Sequence, residues 1–214
     1  RVCQVVAGMK DMVVGSIGAR TTPFKTVRVD EATLQRYGIT VETLDMAEII
    51  WRTNKLPASD KAVKAKLAEM QGYATWDQIP ASSMEMLARF AVVLDQVIGE
   101  YKMDALAVRC WDEMNQQLGI APCVLLGMLN ERLVPAACEV DVCSAVAMQA
   151  LRLASGTPAA CLDWNNNYYD DDDKCILFHC GPVPASLMTK LSPVTLHGMM
   201  KGDKVGCHVG RIAP

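Results

Sequence analysis

The stretch LVPAACEVDVCSAVAMQALRLASGTPAACLD, residues 133–163, predicts a strand, a helix and a second strand in direct succession. The apolar run at 133–138 has the length and composition of a buried strand. Asp141 then caps a helix whose apolar residues recur at helical spacing. Ser-Gly-Thr-Pro at 155–158 stops the helix, and the apolar run at 158–162 predicts the next strand. A buried strand, a helix and another strand form the repeating unit of a parallel sheet.

The same alternation extends upstream. Apolar runs at 12–17, 39–44 and 104–108 predict three further strands. Start signals for helices between them are Asp30, Asp45 with Glu48, Ser59, Ser82 with Glu85, and Pro122. We therefore expect an α/β fold over residues 1–155, a flavodoxin-like parallel sheet with helices on both faces. Residues 156–214 lack a convincing long helix, and we expect them to begin a β-rich domain.

Composition excludes several classes of partner. The 214 residues are 51% hydrophobic and 21% charged, with a formal net charge of -3. Such a chain offers no basic field for nucleic acid or an anionic membrane, and it contains no run of 18 apolar residues that would cross a bilayer. Its nine cysteines form no CxxC pair and sit mostly in apolar runs. A reduced, cytoplasmic setting is therefore expected.

Polar residues follow three successive predicted strands. Glu139 comes after the run at 133–138, Asp163 after the run at 158–162, and His179 after CILF. Ligands gather at the carboxyl ends of strands in open α/β sheets. Two carboxylates and an imidazole could bind Mn²⁺, Mg²⁺ or Co²⁺ and could also move a proton. The acidic block at 170–173 is then predicted to be a solvated loop between two functional residues.

Other residues are weaker candidates. Arg20 follows the Gly-rich turn GSIGA and could reach a sugar hydroxyl or a substrate anion; a surface loop arginine without such a role is the alternative. Trp111 follows the strand at 104–108 and could stack on a sugar face, although core packing is the commoner role of such a tryptophan. His197 and His208 lie in Gly-rich segments, and either could add a metal ligand.

Several segments together have a family resemblance. RCWDEMNQQLGIAPCVLLGMLNERLVPAACEVDVCSAVAMQALRLASGTPAACLDWNNN, followed by LFHCGPVPASL, resembles the L-fucose/L-arabinose isomerase family and in particular its fucose-isomerase-like branch. GSIGARTTPFKTVRVDE and YGITVETLDMAEI resemble the same branch. The likeness covers nearly the whole chain, and CEVDVCSAVAM with its downstream Asp and His is its most specific element.

The resemblance implies a metal-dependent aldose–ketose isomerase, usually a Mn²⁺ enzyme, that moves a proton through an enediol. Glu139 and Asp163 match the two carboxylates that bind metal and transfer the proton, and His179 resembles a metal-ligand histidine. The chain would then be a fragment, comprising the middle domain and the start of the C-terminal domain, inactive alone and oligomeric when intact. A non-catalytic sugar- or metabolite-binding module on the same scaffold is the alternative.

Overall fold

A computed structural model describes residues 1–179, 181–196 and 205–208 of the chain. The α-helices in this part are α1 (Val2–Met9), α2 (Glu31–Arg36), α3 (Met46–Lys55), α4 (Lys61–Tyr73), α5 (Ala81–Glu100), α6 (Glu113–Gln117), α7 (Cys123–Glu131) and α8 (Val142–Ser155). The strands are β1 (Val13–Ile17), β2 (Thr40–Leu44), β3 (Ala105–Val108), β4 (Ala136–Cys138), β5 (Asp163–Tyr168), β6 (Asp171–Phe178), β7 (Val194–Leu196) and β8 (Val205–His208). Short 3-10 turns occupy Lys25–Val27 and Ala185–Leu187. Among the helices that the structure describes, none has the length and apolar character needed to cross a membrane.

The central sheet has four strands in the order β2-β1-β3-β4. All three pairings are parallel, so the carboxyl ends of the strands meet at one edge. The order reverses direction between β1 and β3, as in flavodoxin-like sheets. The predicted parallel α/β fold is confirmed, and the carboxyl ends of its strands lie at Ile17, Leu44, Val108 and Cys138.

Both faces of the sheet are covered. The side chains of β3 point alternately into two apolar clusters, one on each face. Leu106 and Val108 join the larger cluster, which contains residues of α3, α4, α5 and α7. Ala105 and Ala107 join the smaller one, together with Ala145 of α8. Small side chains on that face allow α8 to lie close to the sheet, and α1 packs on α8. Helices on both faces are therefore confirmed.

Helix starts agree with the sequence where an aspartate provides the cap. The side chains of Asp30, Asp45 and Asp141 each accept a hydrogen bond from a backbone N–H in the first turn of α2, α3 and α8. The predicted caps at Ser59 and Ser82 are wrong. Asp60 caps α4 through the N–H of Ala62, and α5 begins after Pro80.

The region after α8 differs from the prediction. Residues 158–162 form no strand, and no backbone hydrogen bond joins them to another described part of the chain. The central sheet ends at β4, and the apolar run does not add a strand to that edge. β5 begins at Asp163 itself and pairs antiparallel with β6. The acidic block is largely solvated as predicted but is not a loop, because three of its residues, 171–173, begin β6.

Candidate active site

A cavity of about 120 Å³ lies at the carboxyl end of β4. Its lining brings together Glu139, Asp163 and His179, the three residues that follow apolar runs in the sequence. The remaining lining residues are Phe24, Thr26, Val27, Ala137, Cys138, Asp141, Ser144, Met148, Cys161 and Pro182. The cavity is thus bounded by the chain after β1, by the β4–α8 connection and by the base of the β5–β6 hairpin.

Glu139 is held in an unusual backbone conformation. Glu139 and Val140 have φ angles of 63° and 59°, the left-handed region that costs a non-glycine residue about 1–2 kcal/mol. Val140 is β-branched and 5% exposed, and its N–H donates to the carbonyl of Val108 at 3.3 Å. The N–H of Asp141 donates to the carbonyl of Cys138 at 2.9 Å, which closes the turn. Such strain clusters at functional sites because surrounding contacts must hold it in place.

Asp163 and His179 enter the cavity from the two ends of one hairpin. Asp163 is the first residue of β5 and pairs with Phe178, the last residue of β6. His179 is the next residue along the chain. The antiparallel pairing therefore brings the carboxylate and the imidazole to the same base, although sixteen positions separate them in sequence.

Three carboxylates, those of Glu139, Asp141 and Asp163, line the cavity together with the Cys161 thiol. Burial raises the pKa of the Cys161 thiol, the hydrogen bond with Ser144 opposes that rise, and the negative charges of Asp141, Asp163 and Glu139 add to it. Glu139 is 8% exposed, so its charge is poorly screened by water. Carboxylates gathered where water screens charge poorly would favour a bound cation.

The donor set suits a hard divalent cation in its chemistry, since carboxylate oxygens and an imidazole nitrogen are ligands for Mn²⁺ and Mg²⁺. Within the described residues, however, no three His, Cys, Asp or Glu side chains are arranged as a metal-binding group. His197 and the side chain of His208 lie outside the described residues. Glu139, Asp163 and His179 share a cavity, but metal binding by these three residues stays a prediction.

Arg20 and Trp111 lie near the cavity without lining it in the described structure. The guanidinium of Arg20 donates to the carbonyls of Thr21 and Phe24 at 3.1 and 3.2 Å, which folds the loop after β1 onto itself. The ring of Trp111 meets that of Phe24 edge-to-face at 5.4 Å. Phe24 lines the cavity, so both residues support one of its walls. Their predicted contact with substrate stays a prediction.

Sequence reasoning missed Ser144 and Cys161. The Ser144 hydroxyl donates to Oδ2 of Asp141 at 2.6 Å, and the Cys161 thiol donates to the Ser144 hydroxyl at 3.1 Å. Ser144 stands three residues after the capping Asp141, a spacing that could have indicated the first of these bonds. Cys161 sits in an apolar run, where a cysteine is ordinarily a small hydrophobic residue.

Comparison with known proteins adds a second line of evidence. No protein-family model matches the chain. The chain is similar to sulfoquinovose isomerases. It is 28% identical over 188 residues to the one from Alkalicoccus urumqiensis, covering 87% of this chain and 42% of that protein. Against those from Priestia aryabhattai and Priestia megaterium it is 26% identical over 208 residues, 96% of this chain and 46% of each of theirs.

The chain thus spans less than half the length of these sulfoquinovose isomerases. They are sugar isomerases by name, which agrees with the broader part of the resemblance seen in the sequence. The narrower assignment to a fucose-isomerase-like branch is not tested by them.

Proposed function

We propose that this chain carries the proton-transfer carboxylates of an aldose–ketose sugar isomerase. The observation that carries the proposal is the shared cavity of Glu139, Asp163 and His179 at the carboxyl end of the sheet, with Glu139 on a strained turn. The similarity to sulfoquinovose isomerases supports the same reaction class. It also makes sulfoquinovose, a glucose derivative with a sulfonate at C6, the first substrate to test.

The two carboxylates can divide the proton transfers. One of them removes the proton from C2 of the open-chain aldose, and O1 is protonated to give an enediol. A proton is then returned to C1, and O2 loses its proton to form the ketone. Glu139 reaches the cavity from the turn after β4 and Asp163 from the hairpin base, so they approach a substrate from two different walls.

A divalent cation, Mn²⁺ in the family that the sequence resembles, would be held by Glu139, Asp163 and His179 and would acidify the carbon-bound proton by binding the neighbouring oxygens. Chelation of the full-length protein should therefore abolish turnover, and added Mn²⁺ should restore it. Turnover that persists in chelator would remove the metal from the proposal.

The decisive experiment follows the transferred proton in deuterated water. Full-length protein is incubated with sulfoquinovose, glucose, L-fucose and L-arabinose, and the products are read by NMR. An enediol route should place solvent deuterium on C1 of the ketose, because the carbon-bound proton passes through a carboxylic acid that exchanges with solvent. Interconversion without deuterium that is also unaffected by Glu139→Gln and Asp163→Asn would refute proton transfer by these carboxylates. Sugar binding without interconversion would establish the binding-module alternative.

Glu139→Gln tests the assignment of the residue. The amide keeps the size of the side chain and removes its charge and its basicity, so we expect kcat to fall by about 10² to 10⁴ with the fold retained. Glu42→Gln on β2, the opposite edge strand, is the matched control and should keep wild-type turnover. A folded Glu139→Gln protein with wild-type turnover would contradict the proposed role.

A further inference from the structure

The segments that carry the two candidate carboxylates differ in how many backbone hydrogen bonds tie them to the rest of the fold. Glu139 lies in the tightly bonded turn between β4 and α8. Asp163 follows the segment 158–162, which returns from the far end of α8 after a helix of 14 residues. No backbone hydrogen bond joins this segment to another described part of the chain. The hairpin pairing holds Asp163 on one side, but the segment that leads into Asp163 is tied to the rest of the described fold only by side-chain contacts.

A series of hydrogen bonds connects the β4–α8 turn with the segment 158–162. The Cys161 thiol donates to the Ser144 hydroxyl at 3.1 Å. The Ser144 hydroxyl donates to Oδ2 of Asp141 at 2.6 Å, and the Ser144 N–H donates to Oδ1 of the same carboxylate at 2.9 Å. All three residues line the cavity. Asp141 comes two residues after Glu139, and Cys161 comes two residues before Asp163.

The direction of the donors makes this connection specific. The Asp141 carboxylate accepts both bonds from Ser144. The Ser144 hydroxyl has one hydrogen, which it gives to Asp141, and it can receive a donor only on its oxygen lone pairs. A thiol or a hydroxyl at position 161 satisfies that geometry, whereas an alkyl side chain does not.

We infer that Cys161 and Ser144 are positioning residues that fix Asp163 relative to Glu139 for the isomerisation. The inference rests on the proposed function. Loss of the connection should leave both carboxylates present but badly spaced. A misplacement of about 1 Å can cost about 10²-fold in rate, and we expect kcat to fall roughly tenfold to a hundredfold. KM should change little, because the reacting groups move while the rest of the site remains.

The test uses full-length protein and paired substitutions. Cys161→Ala and Ser144→Ala remove the connection, and Cys161→Ser restores a donor at the same position. Cys143→Ala and Ser82→Ala are the matched controls, since Cys143 is exposed on α8 and Ser82 is exposed in the first turn of α5. For each variant we would measure kcat and KM by NMR with the best substrate and the Tm by circular dichroism.

The expected result is a lower kcat with unchanged KM and a Tm within about 5 °C of wild type for both connection-removing variants, wild-type values for the controls, and a kcat for Cys161→Ser near wild type. Wild-type kcat in Cys161→Ala, or an equal loss in Cys161→Ser and Cys161→Ala, would overturn the inference. If Cys161→Ala did not fold, Ser144→Ala, which keeps the thiol, would decide. Wild-type protein without turnover on any sugar would instead refute the proposed function, and the inference with it.

Discussion

Asn130 is a buried polar residue whose removal should cost much of the stability of the fold. It lies in α7 and is 2% exposed. Its amide nitrogen donates to the carbonyls of Ala136 and Pro182 at 3.1 and 2.7 Å, and its Oδ1 accepts from the N–H of Ala136 at 2.7 Å. One side chain thus connects a helix, the start of the last sheet strand and a cavity-lining proline.

Asn130→Ala removes all three bonds and leaves the backbone groups of Ala136 and Pro182 buried. Each hydrogen bond contributes about 1 kcal/mol, and a buried group left without a partner costs about 1–3 kcal/mol. The better helix propensity of alanine returns about 0.5 kcal/mol. We therefore expect the free energy of unfolding to fall by roughly 2–4 kcal/mol and the Tm to fall by about 5–15 °C.

Urea and thermal unfolding of Asn130→Ala would measure this loss. Asn54→Ala is the matched control, since Asn54 is exposed in α3 and the same change there should be neutral or slightly stabilising. A loss below about 1 kcal/mol for Asn130→Ala, or equal effects at both sites, would refute the assignment of stability to these three bonds.

Three further predictions concern the scaffold. Gly127→Ala in α7 would place a Cβ 2.9 Å from the carbonyl oxygen of Val183 and should destabilise the fold by about 1–3 kcal/mol, whereas Gly72→Ala, with open space around it, should stabilise by about 0.5–1 kcal/mol in the same urea titration. Burial raises the pKa of Tyr73 to about 12 from 10.0, so its contribution to stability is complete below pH 10 and is lost as the pH rises through 12. Tyr73→Phe should flatten the measured pH dependence over that interval, and an unchanged slope would argue against the shift. Lys102 is exposed with a φ of 51°, so Lys102→Gly should raise the Tm by relieving about 1 kcal/mol of left-handed strain, and a lower Tm would contradict this.

Much of the sheet could be predicted because its signals are local. The apolar runs that became β1 and β3 are buried on both faces, so composition alone marks them. The aspartate caps could also be predicted, because the side chain of the cap accepts a hydrogen bond from a backbone N–H in the first turn of the helix. The apolar run at 158–162 has the composition of a strand, but composition does not decide whether a segment pairs with a sheet edge, and this one does not pair with β4.

The sequence selected three residues that line one cavity, but it did not reveal the geometry of that cavity. Glu139, Asp163 and His179 were found by the rule that ligands gather after strands, yet Asp163 begins a strand instead of following one. The left-handed turn at Glu139 and Val140 contains no glycine, so the sequence gives no sign of it. Ser144 and Cys161 contribute through a hydrogen bond between residues 17 positions apart, which only the folded chain brings together.

In the β5–β6 hairpin, the distance between Asp163 and His179 at the base does not depend on the length of the strands beyond the base. Because side chains alternate every two residues, an insertion of two residues on each strand would extend the ladder without rotating Asp163 or His179 away from the cavity. Related proteins can therefore differ in hairpin length while keeping the same spacing at its base. The exposed tip is also a natural place for an engineered peptide tag, and its own sequence DDDDK at 170–174 already resembles an enteropeptidase cleavage site. Protein chemists who use that protease to remove a fusion partner should expect a second cut there.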